Sequence, residues 1–207
     1  MSLLAAHAMM MASGDVYAPA WNPADCHSSI ALSSANTIAT RTTAAAAWRS
    51  VRSITSHNSG KWYAECENLA NGASNGSAIF GIGDPIDALT IYPGQSNSSY
   101  GVQANDPGGK RTYTNGIPTG RAGATIGIGG VSWVAVNFGP GHIWFGDSIS
   151  GCYAGDPAAG TGPQYTFAAG TARKLMLGLF SNPQSCLLRN HPGQNLLTIP
   201  GGFSMWG

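Results

Sequence analysis

The stretch from Trp133 to Phe145, WVAVNFGPGHIWF, limits the fold more than any other. Val134, Val136 and Phe138 alternate with Trp133, Ala135 and Asn137, the two-residue period of a strand. After Gly139-Pro140-Gly141 the alternation resumes, with Ile143 and Phe145 against His142 and Trp144. An even-numbered loop puts all five apolar residues on one face, pairing Phe138 with Ile143 and Val136 with Phe145; an odd loop splits them between faces. A two-residue Pro-Gly turn would be type II and would splay the strands. A four-residue loop, Gly139 to His142, is therefore expected. The segment reads as the central hairpin of a β-sheet, with a second sheet packed on its Val/Phe/Ile face.

At 207 residues the chain has the size of one large all-β domain. Charged residues are 9% of it and the formal net charge is +1, where about 25% charged is usual. Ser, Thr, Asn and Gly must then wet the surface. Such a surface lacks the basic patch that a nucleic-acid partner requires, and it suits a protein packed among other subunits or exposed on a particle. Cys26, Cys66, Cys152 and Cys186 form no CxxC, and no His stands at zinc-finger spacing. No metal or other cofactor is expected. Isolated thiols of this kind behave as small hydrophobes; the spacing leaves disulfide pairing open. No run approaches the ~20 apolar residues of a membrane span.

Leu3 to Ala12, LLAAHAMMMA, has the apolar core of a signal peptide without its basic flank. Residues 1 to 20 are expected to stay as an N-terminal arm, helical between Ser2 and Met11. Leu3, Leu4, Met9, Met10 and Met11 would be its assembly contacts, because methionines adapt to irregular grooves and an uncharged apolar patch is seldom left exposed.

The domain spans 21 to 207. Ile30 to Thr40 reads as strand, turn, strand. Trp48 to Ser56 has apolar residues at spacing three, Trp48, Val51 and Ile54, which signals a bulge. Gly60 to Glu67 alternates, with Trp62, Ala64 and Cys66 facing in and Lys61, Tyr63, Glu65 and Glu67 facing out. Ala78 to Gly83 and Lys174 to Phe180 are apolar on both faces, as in central strands. Short strands are expected at Ser99 to Gln103, Arg111 to Thr114, Thr125 to Gly129 and Asn195 to Ile199, with a loop from Gly151 to Gln164. Many short strands separated by turn signals favour a sandwich.

Taken in order, WNPADC (Trp21 to Cys26), LSSANTIAT (Leu32 to Thr40), WRSVRS (Trp48 to Ser53), SGKWYAECE (Ser59 to Glu67), FGIGD (Phe80 to Asp84), YPGQSNSSYGVQAND (Tyr92 to Asp106), GGVSWVAVNFGPGHIWFG (Gly129 to Gly146) and GDPAAGTGPQYTF (Gly155 to Phe167) carry a resemblance. The chain resembles the SPRY (B30.2-like) domain, in the form found in tailed-bacteriophage particle proteins, over roughly Trp21 to Ile199. It departs from the family pattern at Gly129-Gly130, Asn137 and Gly146-Asp147. The resemblance implies a concanavalin-like antiparallel β-sandwich that binds and does no chemistry. It implies a virion structural protein assembled in the host cytoplasm, a tail appendage or fibre subunit or else a capsid decoration or head-fibre protein. Its partners would be other virion proteins, further copies of itself, or a host surface protein or glycan.

The competing class is a virion-borne glycan depolymerase. Glu65 and Glu67 stand at i, i+2 and share a strand face, and paired carboxylates can run glycoside hydrolysis. The third acid of such a motif would fall at Leu69, so the pattern is broken and the pair reads as part of a solvated outer strand face. Gly146-Asp147-Ser148 echoes an esterase nucleophile, but Arg189-Asn190-His191 lacks the Asp that would mark the triad's His, and a turn explains the tripeptide. Gly108-Gly109-Lys110 ends in Arg111, so it is no phosphate loop. No catalytic residue is expected. Tyr92, Tyr100 and Tyr113 lie in a long turn-rich region and are the candidate binding anchors, since loop tyrosines give contact area at low entropy cost.

Overall fold

The computed structural model describes residues 20–72, 78–106 and 108–207. The expected arm, with its helix and its contacts Leu3, Leu4, Met9, Met10 and Met11, lies outside them apart from Ala20. Among the described residues there is no helix; sixteen strands form two sheets packed face to face. One sheet runs in the order β1 (Trp21–Cys26), β4 (Arg49–His57), β14 (Arg173–Leu179), β6 (Ile79–Gly83), β7 (Tyr100–Gln103), β8 (Lys110–Thr114), β9 (Ile117–Arg121). The other runs β12 (Gly151–Cys152), β11 (His142–Asp147), β10 (Val131–Asn137), β5 (Lys61–Ala70), β15 (Ser185–Arg189), β3 (Ile38–Arg41), β2 (Ile30–Ser33). Two short strands join this second sheet, β13 (Tyr165–Thr166) on β11 and β16 (Ser204–Met205) on β5.

The hairpin sits in the second sheet as β10 and β11. Its five apolar residues, Val134, Val136, Phe138, Ile143 and Phe145, all enter the core between the sheets. They meet Val51, Phe80, Ile82, Val102, Leu175, Leu177 and Leu179 of the first sheet. The loop has four residues, Phe138 to Gly141, and the register is Val136 with Ile143 and Val134 with Phe145. This is two residues away from the expected pairing. Gly141 explains the choice. Its φ is +69°, and a Cβ there would lie 2.0 Å from the Phe167 carbonyl oxygen, so the left-handed corner of the loop must fall on it.

The bulge expected in Trp48 to Ser56 is present. Lys174 pairs with Ser56 and Met176 with Arg52, so two steps on β14 match four on β4. Two expected strands are absent. Thr125 to Gly129 forms a turn closed by Gly130 N–H to Gly127 O (3.1 Å), because three glycines in six residues favour a turn over a ladder. Asn195 to Ile199 also pairs with no strand, because its N–H groups are taken by a side chain described below. Six strands that the sequence did not suggest, β1, β9, β12, β13, β15 and β16, complete the sheets, and β12 falls at the start of the expected loop Gly151 to Gln164. All four cysteines are free thiols, Cys66 and Cys186 buried and Cys26 and Cys152 half-buried.

Candidate binding groove

The outer face of the second sheet is aromatic. Tyr63 on β5, Trp133 on β10 and Trp144 on β11 point away from the main core and form a second cluster with Ala135 and Met205. Tyr63 and Trp133 sit 5.8 Å apart and tilted by 40°. Trp133 lies over the backbone at Gly146, where a Cβ would come within 2.2 Å of its ring. Only glycine lets the indole lie there.

Residues 190 to 203 fold over this face. The chain leaves β15 after Arg189, which pairs with Glu65, and returns as β16 beside Trp62 and Tyr63 on the same edge of β5. Leu197, Ile199 and Phe203 pack on the aromatic cluster. Glu65 and Glu67 pin this segment, and here the expectation of an outward, solvated face fails. They do face away from the core, but Glu65 is 0% and Glu67 3% exposed beneath the segment. Glu65 accepts hydrogen bonds from Leu196 N (2.7 Å), Leu197 N (3.0 Å) and Tyr63 Oη (3.0 Å). Burial holds its pKa above the usual carboxylate range, against the pull of those donors and of Arg189. Glu67 is ion-paired to Arg189 (2.5 Å), whose Nη1 also holds Gln194 O. These are structural bonds.

The second wall is the loop after β11. Asp156 and Thr161 bridge each other, and Asp156 Oδ1 accepts from Ala158 N (2.8 Å), which sets Pro157 and Ala158 beside the groove. Gly155 backs directly against the Thr161 carbonyl, where a Cβ would lie 2.1 Å away. Between the walls lies a mostly apolar groove of about 360 Å³. Tyr63 and Trp133 form its floor, Leu197, Thr198 and Pro200 one side, Cys152, Pro157 and Ala158 the other, and Asp147 and Ser148 one end. That volume is within the range of small binding sites, about 300–1,000 Å³.

The polar groups at the groove are committed. Asp147 is fully buried against Lys110 of the first sheet (2.5 Å) and also accepts from Tyr153 Oη and from the Ile149 and Ser150 N–H groups. Burial alone would raise its pKa, but the bonds from Lys110, Tyr153, Ser150 and Ile149 hold it below the usual range. Ser148 Oγ accepts from Val131 N (3.1 Å), as a turn residue does. Burial keeps the Cys152 thiol protonated, with its S–H given to Ala154 O (3.1 Å). The groove offers contact surface rather than a poised nucleophile or acid.

The three tyrosines are not gathered in it. Tyr100 and Tyr113 lie in β7 and β8 and are 7% and 8% exposed, so they are not loop anchors. Tyr100 lies in the core and Tyr113 bonds Gln103. Tyr92 is half-buried, 4.9 Å from Trp48 on the outer face of the first sheet.

Against solved structures, the chain superposes on the SPRY domain of human HERC1 with a TM-score of 0.63 at 10% identity, covering 81% of this chain and 96% of that one. The fold is that of a SPRY domain. The PSpry domain of TRIM65 matches the same fold with a TM-score of 0.60 at 15% identity, over 82% of this chain and 90% of that one. No family model matches the sequence, and no curated protein sequence matches it. At such identities the SPRY fold is shared while the surface residues are this chain's own.

Proposed function

We propose that this SPRY-fold chain is a non-catalytic protein-binding module, and that it serves as a structural subunit of a tailed-phage particle, in a tail appendage that contacts the host surface or neighbouring particle proteins. The groove carries the binding reading: it is preformed, apolar and walled by two pinned segments, while the carboxylates around it are spent on holding those walls. The order of segments from WNPADC to GDPAAGTGPQYTF, together with the low surface charge, supports the particle reading.

Ala158 is exposed on the groove wall. Ala158→Arg places a long side chain in the groove without touching the core. It is expected to leave the urea unfolding midpoint unchanged and to reduce host adsorption of particles carrying it at least tenfold. Unchanged adsorption by a correctly incorporated variant would falsify the groove reading.

The arm, residues 1 to 20, is proposed to attach the domain to its assembly through Leu3, Leu4, Met9, Met10 and Met11. Ordering the arm costs roughly 1–2 kcal/mol per backbone residue, and burying each large apolar side chain returns about 1.5–3 kcal/mol, so a neighbour must supply the remaining contacts. Deleting Met1 to Ala12 is expected to give a folded domain that no longer enters particles. Incorporation at normal copy number would reduce the arm to a strap on its own domain.

A further inference from the structure

Most cations buried or half-buried in this protein have a carboxylate. Arg52 and Lys174 share Asp25, Lys110 has Asp147, Arg111 has Asp106, Arg173 has Asp84 and Arg189 has Glu67. Lys61, Arg121, Arg41 and Arg49 have none among the described residues; Lys61 lies by the Phe203 ring and Arg121 donates to Thr112 Oγ1 (2.9 Å), whereas Arg41 and Arg49 keep buried nitrogens without an acceptor. Arg41 stands two residues beyond the core residue Ala39 on β3, opposite Ile30, and Arg49 two before the core residue Val51 on β4, opposite Leu179. Both therefore sit at the end of a strand from opposite sheets.

Arg41 is 1% exposed. Its Nη1 donates to Ser29 O (3.1 Å) and its Nη2 to Ala45 O (3.2 Å) and Ala47 O (3.3 Å), which pins the exposed loop Thr42 to Ala46. Its Nε is buried without an acceptor, and so is the Nε of Arg49. Arg49 is only half-buried, and among the described residues its one side-chain hydrogen bond runs from Nη1 to Trp48 O (2.7 Å). His27 joins them. Its backbone N–H donates to Ser50 O beside Arg49 (3.0 Å), and its Nδ1 accepts from Ser29 N (3.1 Å), the residue that Arg41 holds. With Nδ1 accepting, the neutral ring carries its proton on Nε2, which has no partner among the described residues. The field of these groups is felt within the cluster: burial, then Arg49 and Arg41, lower the His27 pKa, and burial, then Arg49, lower that of Arg41.

We propose that His27, Arg41 and Arg49 form an oxyanion-binding site at this corner of the sandwich. The outer nitrogen of Arg49 and Nε2 of His27 donate to one carboxylate or phosphate group, and the buried charge of Arg41 stands behind it. An outward guanidinium nitrogen beside an imidazole N–H can donate to such oxygens, and two positive charges close together with no counter-ion among the described residues are stabilised by one from outside. The site is built on β3, β4 and the β1–β2 turn, away from the outer-face groove, and stands whether or not that groove binds protein.

The test is a titration of the whole chain with sodium phosphate and, separately, sodium acetate, with sodium chloride at matched ionic strength. The readout is the NMR shifts of the Arg41 and Arg49 side-chain N–H groups and the His27 ring. Saturable shifts at millimolar phosphate or acetate, absent with chloride, are expected. Tighter phosphate marks a phosphate-bearing ligand, and equal or tighter acetate marks a carboxylate. Arg49→Gln should weaken the binding at least fivefold with the remaining amide spectrum unchanged, while Lys61→Gln, which alters a cation beside Phe203, should not. Linear shifts equal to those with chloride in the unmodified protein, or saturation that survives Arg49→Gln, overturns the site.

Discussion

Asp147→Ala is expected to cost about 3–5 kcal/mol, the usual penalty for leaving a buried charge without its partner and a large share of the ~5–15 kcal/mol that holds a domain folded. Lys110 and Asp147 are both 0% exposed at the side chain and join the two sheets at one end of the sandwich. Without the carboxylate, Lys110 keeps, among the described residues, Ser150 Oγ (2.7 Å) and the Tyr153 ring (5.7 Å). The Ile149 and Ser150 N–H groups lose their acceptor as well. Removing both charges should be milder. Lys110→Met with Asp147→Asn keeps an oxygen for those two N–H groups and is expected to recover more than half of the loss. Urea midpoints at pH 7, with unchanged slopes, measure this; a loss under about 1 kcal/mol for Asp147→Ala would mean that water reaches Lys110. Acid follows with a fixed sign. Asp147 and Asp25 both have folded pKa values below the ordinary one, Asp25 because Arg52 and Lys174 outweigh its burial. Their contribution is whole above the unfolded value of about 3.9 and is lost as pH falls through the folded values. The double variant should lose less stability in that window, keeping only the Asp25 share.

The faces of the central hairpin were legible and its register was not, for one reason. Alternation fixes position only modulo two residues, so a shift of two keeps Val134, Val136, Phe138, Ile143 and Phe145 inward. Gly141 decided between the options, through its contact with Phe167, a residue 26 positions on. Glu65 and Glu67 were placed on the correct face but assumed wet. What buries them is residues 190 to 203, whose Leu197 and Ile199 read as a strand of their own rather than as a cover, and whose Pro200, Gly201 and Gly202 break the pattern before Phe203. The clue available was on the strands themselves: Tyr63, Trp133 and Trp144 all fall on the nominally polar face, and three such aromatics need a cover. Tyr100 and Tyr113 fall inside segments whose pattern already reads as strand, and strand residues in a sandwich are more often packed than free. The groove itself draws on residues from 63 to 200, and no local pattern could collect them. The cation corner was illegible in the same way, because an unpaired arginine is visible only once the groups around it have been placed.

Glu65→Ala is expected to release the groove wall while the sandwich stays folded. The carboxylate satisfies three donors at once, Tyr63 Oη and the N–H groups of Leu196 and Leu197. A buried donor left without an acceptor costs about 1–3 kcal/mol. Leu196 is 53% exposed, so its segment can lift and let water in rather than bear the whole sum. The loss should therefore be local: amide exchange at Leu196 and Leu197 faster by roughly 100-fold, equivalent to about 2.7 kcal/mol of opening, with a global loss of only about 1–2 kcal/mol. Glu65→Gln retains one oxygen and should fall between. The two variants also report on the charge. The folded pKa of Glu65 is raised by burial, so its contribution is whole below the unfolded value of about 4.3 and is lost as pH rises through the folded value. That slope, opposite in sign to the one from Asp147, should vanish in Glu65→Gln. Unchanged exchange at Leu196 and Leu197 in Glu65→Ala would assign the wall to the packing of Leu197, Ile199 and Phe203 on the aromatic floor, and the carboxylate would be a passenger.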